Sequence, residues 1–150
     1  MSEKSARQKM RAKRKPRERG QSLVETAIIF PLLLLLLAAV VDFGRAFDAY
    51  IVLTNAAREG ARWGSVNPEL SEDDVKAIVV DDVLGSGTNI AQMTGFNAVD
   101  NVEVYGQAQK LDYVEVTVTY NFPLWFGQLI GFPDVTLTKV SVMPRWRNEK

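Results

Sequence analysis

The residues of this chain that could take part in chemistry are carboxylates, hydroxyls, amides and cationic side chains, because its 150 residues include neither histidine nor cysteine. Their absence removes thiol nucleophiles, imidazole acid–base catalysis and the usual ligands of zinc, copper and haem. Adjacent carboxylates occur at Asp73-Asp74 and Asp81-Asp82, but neighbouring side chains on a helix point about 100° apart and form no catalytic dyad. We therefore expect a protein that is not an enzyme and that uses no cofactor or metal.

The formal net charge of zero hides a division of charge along the chain. Residues 1–19 hold nine Lys or Arg and two acids, whereas residues 20–150 hold nine Lys or Arg and sixteen acids. The basic segment is nearly free of apolar residues, which predicts disorder. It contains no aromatic residue and no DNA-binding motif follows it, so we expect no nucleic-acid partner. Beside a membrane, each basic residue would instead be attracted to anionic lipid by about 1 kcal/mol.

An uncharged stretch, residues 27–41, follows the basic segment, and it extends back to residue 23 with one acidic interruption, Glu25. The nineteen residues 23–41 would form about 28 Å of helix, close to the roughly 30 Å of a bilayer core. A buried core helix is the alternative, but a chain of this length can hardly surround six consecutive leucines on every side. We predict a transmembrane helix over about 23–42.

The basic flank decides the expected orientation of this helix. Short flanks rich in Lys and Arg stay in the cytoplasm, and the residues directly after the apolar run are mixed in charge. We expect a single-pass protein of the inner (cell) membrane, with a cytoplasmic N-terminus and an extracytoplasmic C-terminal domain.

The apolar helix is predicted to continue beyond the membrane as far as Gly64. Its buried face would consist of residues that recur every three or four positions, namely Phe43, Phe47, Tyr50, Thr54, Ala57 and Ala61. Ser71 precedes three acidic residues and is placed to cap a short second helix. This interpretation divides the chain into a long helix over 21–64 and an extracytoplasmic domain over 65–150.

Strands are predicted in the last third of the chain, where apolar residues alternate with polar ones. Alternating valines occur over 102–104 and again over 114–118, and in the last strand the alternation changes phase near Thr138-Lys139. Such a change of phase predicts a β-bulge at that point. The expected fold class is α+β: a long N-terminal transmembrane helix that continues into a small extracytoplasmic domain with a short second helix and an antiparallel sheet of about three strands.

The acid at the start of the apolar helix, Glu25, needs a physical reason, because a charge at the centre of a membrane costs about 2.5–3.5 kcal/mol. Near the headgroups, a helix N-terminus would instead favour a carboxylate by about 0.3–1 kcal/mol. From its position alone, Glu25 could either stabilise the helix N-terminus near the headgroups or have a functional role. In the segment RGQSLVETAIIFPLLLLLL, the basic leader is followed by Gly20, by Glu25 five residues later, and by the leucine run.

A larger set of residues extends this arrangement: Gly20, Val24-Glu25, Pro31, the leucine run, Asp42-Phe43-Gly44-Arg45-Ala46 and Asn55-Ala56-Ala57-Arg58-Glu59-Gly60-Ala61-Arg62. It resembles the class III signal of type IV pilin-like proteins, and residues 19–64 look like the TadE-like family of minor pilins or pseudopilins of the tight-adherence (Flp) pilus. The last string is the most specific, and its motif residues are Asn55, Ala57, Arg58, Glu59, Gly60 and Arg62.

The resemblance implies a non-enzymatic minor pilin or pseudopilin that acts in assembly of a tight-adherence (Flp, type IVc-like) pilus or a related secretion system. A prepilin peptidase would cut between Gly20 and Gln21 and remove a leader over 1–20. Glu25 would then pair with the new N-terminal amine of a neighbouring subunit. The implied partners are the prepilin peptidase, other pilin-like subunits, the inner-membrane assembly platform and the lipid bilayer.

Other interpretations stay open. An unprocessed single-pass anchor could carry an outer domain that binds an envelope ligand or scaffolds a membrane complex, and its leader would remain intact. An enzyme would need a polar, water-shielded cleft in the outer domain. The aromatic segment 122–133, FPLWFGQLIGFP, predicts either a flap over the core, which is the favoured interpretation, or an exposed patch for a partner or the bilayer surface.

Overall fold

The computed structural model describes residues 17–86, 96–107 and 111–145, with side chains from residue 20 onward. Its elements are α1 (Arg17–Val66), α2 (Glu72–Gly85), α3 (Ala98–Asn101), β1 (Val102–Tyr105), β2 (Tyr113–Pro123), a short 3-10 helix (Gly127–Ile130) and β3 (Asp134–Pro144). The expected α+β class is confirmed, with a long N-terminal helix, a short second helix and a three-stranded antiparallel sheet. The expected disorder of the basic leader concerns residues that lie mostly outside the described range, and α1 has already begun at Arg17.

The chain divides after Ala38 into two compact units. In the first unit, α1 is exposed at every residue from Gly20 to Leu37, and Pro31 lies inside the helix. The helix is long and apolar enough to cross a membrane, and none of its most apolar window is buried. The alternative of a core helix buried inside a globule is therefore wrong for this stretch.

In the second unit, α1 buries a face made mostly of small residues. The fully buried side chains on it are those of Ala49, Leu53, Ala56, Ala57 and Ala61. Ala57 and Ala61 of the predicted face are buried as expected, whereas Phe43 and Phe47 remain more than half exposed. The small face is the one buried because residues with little or no side chain let the helix backbone approach its neighbours closely. At Gly60, an added Cβ would overlap Val79 of α2 and lie 3.7 Å from Val116 of β2.

The start of α2 confirms the predicted cap. The Ser71 hydroxyl accepts a hydrogen bond from the backbone N–H of Asp74 (3.1 Å), and the Asp74 carboxylate accepts one from the backbone N–H of Ser71 (2.9 Å), which forms a capping box. The hydroxyl and the backbone N–H of Ser71 hold the pKa of Asp74 below its ordinary value. One face of the helix, formed by Val75, Val79 and Val83, is buried.

The sheet has the strand order β1-β2-β3, and both pairs are antiparallel. Along β2, Val114, Val116 and Val118 are fully buried and the residues between them are partly exposed, as the alternation predicts for a strand with one buried face. These valines pack with the small face of α1 and the valines of α2 in one apolar core.

The predicted β-bulge near Thr138-Lys139 is wrong, because β2 and β3 pair in one unbroken register along the whole of β3. The change of phase in the apolar pattern instead leaves two valines on the outer face of the sheet. Val140 and Val142 are 47% and 54% exposed there. Lys139 lies on the inner face, where its ammonium donates to the Tyr50 hydroxyl on α1 (3.4 Å). β3 is an edge strand whose inner positions are only partly buried, so register is held by the backbone ladder and not by the apolar pattern.

A buried amide ties three segments of the second unit together. The Gln107 Nε2 donates to the carbonyl oxygens of Asn67 (3.1 Å) and Leu70 (2.9 Å), which lie between α1 and α2. Its Oε1 accepts a hydrogen bond from Arg145 Nη2 (3.2 Å), just after β3. Because a buried polar group without a partner costs about 1–3 kcal/mol, these bonds fix the path of the connection between the two helices.

Gly60→Ala is expected to destabilise the second unit by about 1–3 kcal/mol, because the new methyl group would overlap Val79. Gly44→Ala on the same helix is the matched control: none of the described residues lies within 4 Å of its Cβ position, and alanine favours a helix by about 1 kcal/mol over glycine. Thermal denaturation of the full chain in detergent, followed by circular dichroism, compares the two variants. A melting temperature for Gly60→Ala equal to that of the wild type would contradict the close packing at this position.

Candidate functional site

The residues predicted to be processed lie on the exposed first turns of α1. Gly20 and Gln21 are exposed, and no described residue comes within 4 Å of where a Cβ of Gly20 would lie. Glu25, one turn after Gln21, is also exposed and forms no ion pair with any residue that the structure describes. The carboxylate is therefore available to a cation from outside the described chain.

The motif string 55–62 is divided between two sides of α1. Ala57 and Gly60 are buried, and Gly60 faces α2 and β2, so these two motif residues serve the packing of the second unit. Asn55, Arg58 and Arg62 are exposed on the other side. One short string thus combines a structural face with a charged surface.

On the exposed side, Glu59 is the centre of a hydrogen-bond cluster. Its carboxylate accepts bonds from Arg62 Nε (3.0 Å) and Nη2 (2.6 Å) and from the indole Nε1 of Trp63 (2.7 Å). An exposed ion pair adds little to stability, so the cluster mainly orients these side chains. An open groove of about 290 Å³ lies beside it and is lined by Asn55, Arg58, Glu59, Arg62, Asp82 and Met143.

Asp82 brings a second carboxylate from α2 to this groove. Burial raises the pKa of Asp82 above its ordinary value, and the negative charges of Glu59 and Asp81 raise it further. Among the residues that the structure describes, no three His, Cys, Asp or Glu side chains are grouped so that they could hold a metal ion. The groove is a charged surface feature on the exposed side of the motif string.

A second polar arrangement is built around Asp42, the first charged residue after the apolar run. Its buried carboxylate accepts hydrogen bonds from the backbone N–H groups of Trp125 (Oδ1, 2.9 Å), Phe126 (Oδ2, 2.7 Å) and Gly127 (Oδ2, 3.1 Å). Consecutive backbone donors of this kind form an anion-binding nest. Asp42 thereby fastens the segment 122–133, called the flap from here on, to α1.

Arg45, one turn further along α1, completes this attachment. Its Nη1 lies 3.3 Å from Asp42 Oδ1. The guanidinium carbon lies 3.7 Å from the centre of the Trp125 ring and 5.0 Å from that of the Phe122 ring. Cation–π contacts contribute about 0.5–2 kcal/mol, depending on exposure. The two charged residues in the string 42–46 therefore hold the flap in place.

The flap covers the core only in part. Phe122 is buried and Leu124 packs against the core, but five large apolar side chains are exposed, namely Trp125, Phe126, Leu129, Ile130 and Phe132. The favoured interpretation of this segment as a cover for the core is therefore wrong for these five residues, and the alternative of an exposed patch applies to them.

Sequence reasoning missed Asp42 as the attachment point of the flap. The three donors lie 83, 84 and 85 residues further along the chain. They are backbone groups, which every residue except proline possesses. The one available signal was an isolated acid directly after an uncharged run, and that signal also fits a simple membrane flank.

These observations define the class of the molecule: an α+β protein with one exposed, apolar N-terminal helix, consistent with a membrane-anchored protein. Comparison with known families finds a match, and it falls within α1. Residues 20–62 match the family model described as TadE-like protein, which confirms the resemblance seen in the sequence and includes Gly20, Glu25 and the string 55–62. The match supports a role associated with tight-adherence pili. No curated protein and no solved structure matches the chain.

Asp42→Asn is expected to loosen the flap, because an amide nitrogen replaces one of the two accepting oxygens and leaves at least one backbone N–H unpaired. An unsatisfied buried N–H costs about 1–3 kcal/mol, which corresponds to roughly 5- to 150-fold faster hydrogen exchange at residues 125–127. Hydrogen–deuterium exchange of the full chain in detergent, read by mass spectrometry, measures this effect.

The matched control is Asp48→Asn, which removes the same charge from the same helix. Asp48 forms no hydrogen bond with any described residue, so exchange in the flap should stay at the wild-type rate. If Asp42→Asn also left that rate unchanged, the carboxylate would not be the attachment point.

Proposed function

We propose that this protein is a non-enzymatic minor pilin or pseudopilin that acts in assembly of a tight-adherence (Flp, type IVc-like) pilus or a related secretion system. One observation carries the proposal: the TadE-like match begins at Gly20 and extends through Glu25, the apolar run and the string 55–62. The exposed apolar helix supports it physically, because a surface of this kind is stable in lipid or against other apolar helices and not in water.

The first step of the proposed role is removal of the leader by a prepilin peptidase. Water adds across the peptide bond between Gly20 and Gln21, which leaves a carboxylate on Gly20 and a protonated amine on Gln21. Gly20 suits this step because it has no side chain, and no residue within the described ranges crowds it. Both residues lie close to the start of α1, where helices fray and a peptidase meets little resistance.

The second step joins subunits through Glu25. Among apolar helices in a membrane, an unpaired charge costs about 2.5–3.5 kcal/mol, and the new amine of a neighbouring subunit is the cation that neutralises it. A slip of one helical turn, about 5.4 Å, would separate the two charges and leave both without a partner. The pair therefore favours one register of assembly over its neighbours.

The remaining partners follow from the proposed topology. The basic leader stays in the cytoplasm, α1 spans the inner membrane and the second unit is extracytoplasmic. There the exposed motif residues Asn55, Arg58 and Arg62 form the surface that would meet other pilin-like subunits or the inner-membrane assembly platform. Incorporation of the mature chain into a pilus is the outcome that the Glu25 pairing serves.

One observation favours a second candidate function, that of an unprocessed single-pass anchor whose outer domain binds an envelope ligand or scaffolds a membrane complex. α1 begins at Arg17 and runs without a break across the proposed cut site. A helix that is continuous through Gly20 is the expected state of an anchor that keeps its leader.

Cleavage predicts a mature chain that starts at Gln21. The full chain is expressed together with an active prepilin peptidase, extracted from the membrane and weighed intact by mass spectrometry. Gly20→Val should remain in the membrane with its leader attached, because the branched side chain crowds the bond to be cut, whereas Gly44→Ala should be processed like the wild type. A wild-type chain that keeps its leader under these conditions would favour the anchor over the pilin.

Pairing predicts that Glu25→Gln inserts normally into the membrane but assembles poorly, because the amide keeps the shape of the side chain and loses its charge. Asp48→Asn, which removes one negative charge from the same helix, should assemble normally. Electron microscopy of piliated cells and co-purification with pilin-like subunits compare the two variants, and several-fold fewer pili are expected for Glu25→Gln alone. Normal piliation in Glu25→Gln would refute the proposed pairing.

A further inference from the structure

We infer that the flap is a second membrane contact of this chain: it inserts its exposed aromatic and aliphatic side chains into the interfacial layer of the bilayer that α1 spans. The flap would contact the lipid headgroups on the same face of the membrane as the second unit. The inference rests on the membrane insertion of α1 in the proposed function, and it goes beyond that function by giving the second unit its own contact with lipid.

The side chains of the flap have the chemistry of a membrane interface. No residue from 122 to 133 is charged, and Gln128 is the one polar side chain among them. Trp125 is 55% exposed, Leu129 76% and Phe132 66%. Tryptophan and other aromatic residues are typical of the layer between lipid chains and water. In water alone, such a contiguous apolar surface would be unfavourable.

The backbone of the flap is also prepared for a low-dielectric environment, in which an unsatisfied polar group is strongly unfavourable. Asp42 accepts the N–H groups of residues 125–127. Leu129 donates to the Phe126 carbonyl (3.0 Å), and Phe132 donates to the Gly127 carbonyl (2.9 Å). The base of the flap is closed by a bond from the Leu124 N–H to the Pro133 carbonyl (2.9 Å).

The attachment point places the flap at the boundary of the membrane. Asp42 directly follows Val41, the last residue of the uncharged run, and Val40 and Val41 are exposed in the same unit as the flap. When the uncharged run fills the bilayer core, Asp42 lies at its edge, and the loop bonded to Asp42 lies in the interfacial layer. Apolar groups at this level sink roughly 5–10 Å into the boundary between headgroups and acyl chains.

The two charged groups at the attachment point do not oppose insertion. The Asp42 carboxylate is surrounded by three backbone donors and lies beside Arg45. The guanidinium of Arg45 in turn covers the ring of Trp125. Because opposite charges neutralise each other inside the protein, neither has to be brought unpaired into the interfacial layer.

A lipid surface fits the flap better than a protein partner does. Protein interfaces form about one hydrogen bond per 100–200 Å², and the flap offers few donors besides the Gln128 amide and the Trp125 indole N–H, because most of its backbone N–H groups are bonded within the chain. A bilayer interface requires no matching pattern of donors and acceptors, only apolar area at the correct depth.

Single-tryptophan forms of the full chain test this inference. The chain has three tryptophans, at positions 63, 125 and 146. Trp63→Phe combined with Trp146→Phe leaves Trp125 as the reporter, and Trp125→Phe combined with Trp146→Phe leaves Trp63. Each form is reconstituted into vesicles of phosphatidylcholine that carries bromine either near the carbonyl end or near the methyl end of its acyl chains.

Fluorescence of Trp125 should be quenched several-fold more strongly by the shallow bromines than by the deep ones, and it should be shielded from iodide in the surrounding water. Trp63 is the control, because it is 41% exposed and lies about 31 Å beyond Asp42 along α1. It should respond to iodide and to neither bromine position. Leu129→Ser with Phe132→Ser, in the Trp125 form, should weaken the shallow quenching and shift the emission to the red, because two exposed apolar side chains are lost from the flap while the backbone bonds to Asp42 remain.

Two results would overturn the inference. Trp125 could behave like Trp63, or it could become shielded from iodide only when pilin-like subunits are added and remain unquenched by bromine, which would assign the patch to a protein partner. Alkaline carbonate extraction of the same vesicles separates this failure from that of the proposed function. A chain that stays in the membrane with an unquenched Trp125 refutes the flap contact alone, whereas a chain that is extracted refutes membrane insertion of α1 and the flap contact with it.

Discussion

The burial of one carboxylate, that of Asp42, is the constraint on which the arrangement of the second unit depends. A buried charge is tolerated only when hydrogen bonds and opposite charge replace its hydration, and here three successive backbone N–H groups and one guanidinium do so. Because those donors belong to the connection between β2 and β3, the contact joins the end of the sheet to α1. The same bonds satisfy three backbone N–H groups of the loop. The Asp42 carboxylate and the three backbone N–H groups could not be buried without each other.

Close packing of small residues is the second requirement, and it explains the composition of α1. Gly60 leaves room for Val79 and Val116, and at Gly64 a Cβ would lie 3.1 Å from Val114. Valines on α2 and β2 thus fill the space that glycines and alanines leave on the helix, at the density typical of protein interiors. This packing accounts for the small members of the string 55–62, while its charged members face the solvent. A motif that reads as one unit in the sequence therefore performs two separate physical tasks.

Two acids bracket the apolar run, and the structure treats them in opposite ways. Asp42 is surrounded by donors from its own chain, whereas Glu25 lies exposed on α1 without an ion-pair partner among the described residues. The difference suits the proposed role, in which Asp42 shapes the subunit and Glu25 joins subunits. Substitutions of the two acids should therefore affect different properties: loss of Asp42 changes the fold of the second unit, and loss of Glu25 changes assembly. The exposed flap is a further apolar surface, and its chemistry is that of a membrane interface.

Much of the fold could be predicted from the sequence, because its signals are local. The uncharged run, the cap at Ser71 and the two-residue alternation of β2 each depend on residues a few positions apart, and all three appear in the structure as predicted.

Other features were decided by tertiary contacts alone. α1 leaves Phe43 and Phe47 exposed, β3 keeps an unbroken register despite its change of phase, and the flap exposes five large side chains while its backbone binds Asp42. The sequence by itself determined the long helix, the second helix and the strands, since those follow from neighbouring residues. Only the tertiary structure decided which large side chains stay exposed and what Asp42 binds, because both depend on groups far apart in the chain, and the donors to Asp42 are backbone atoms that no residue type distinguishes.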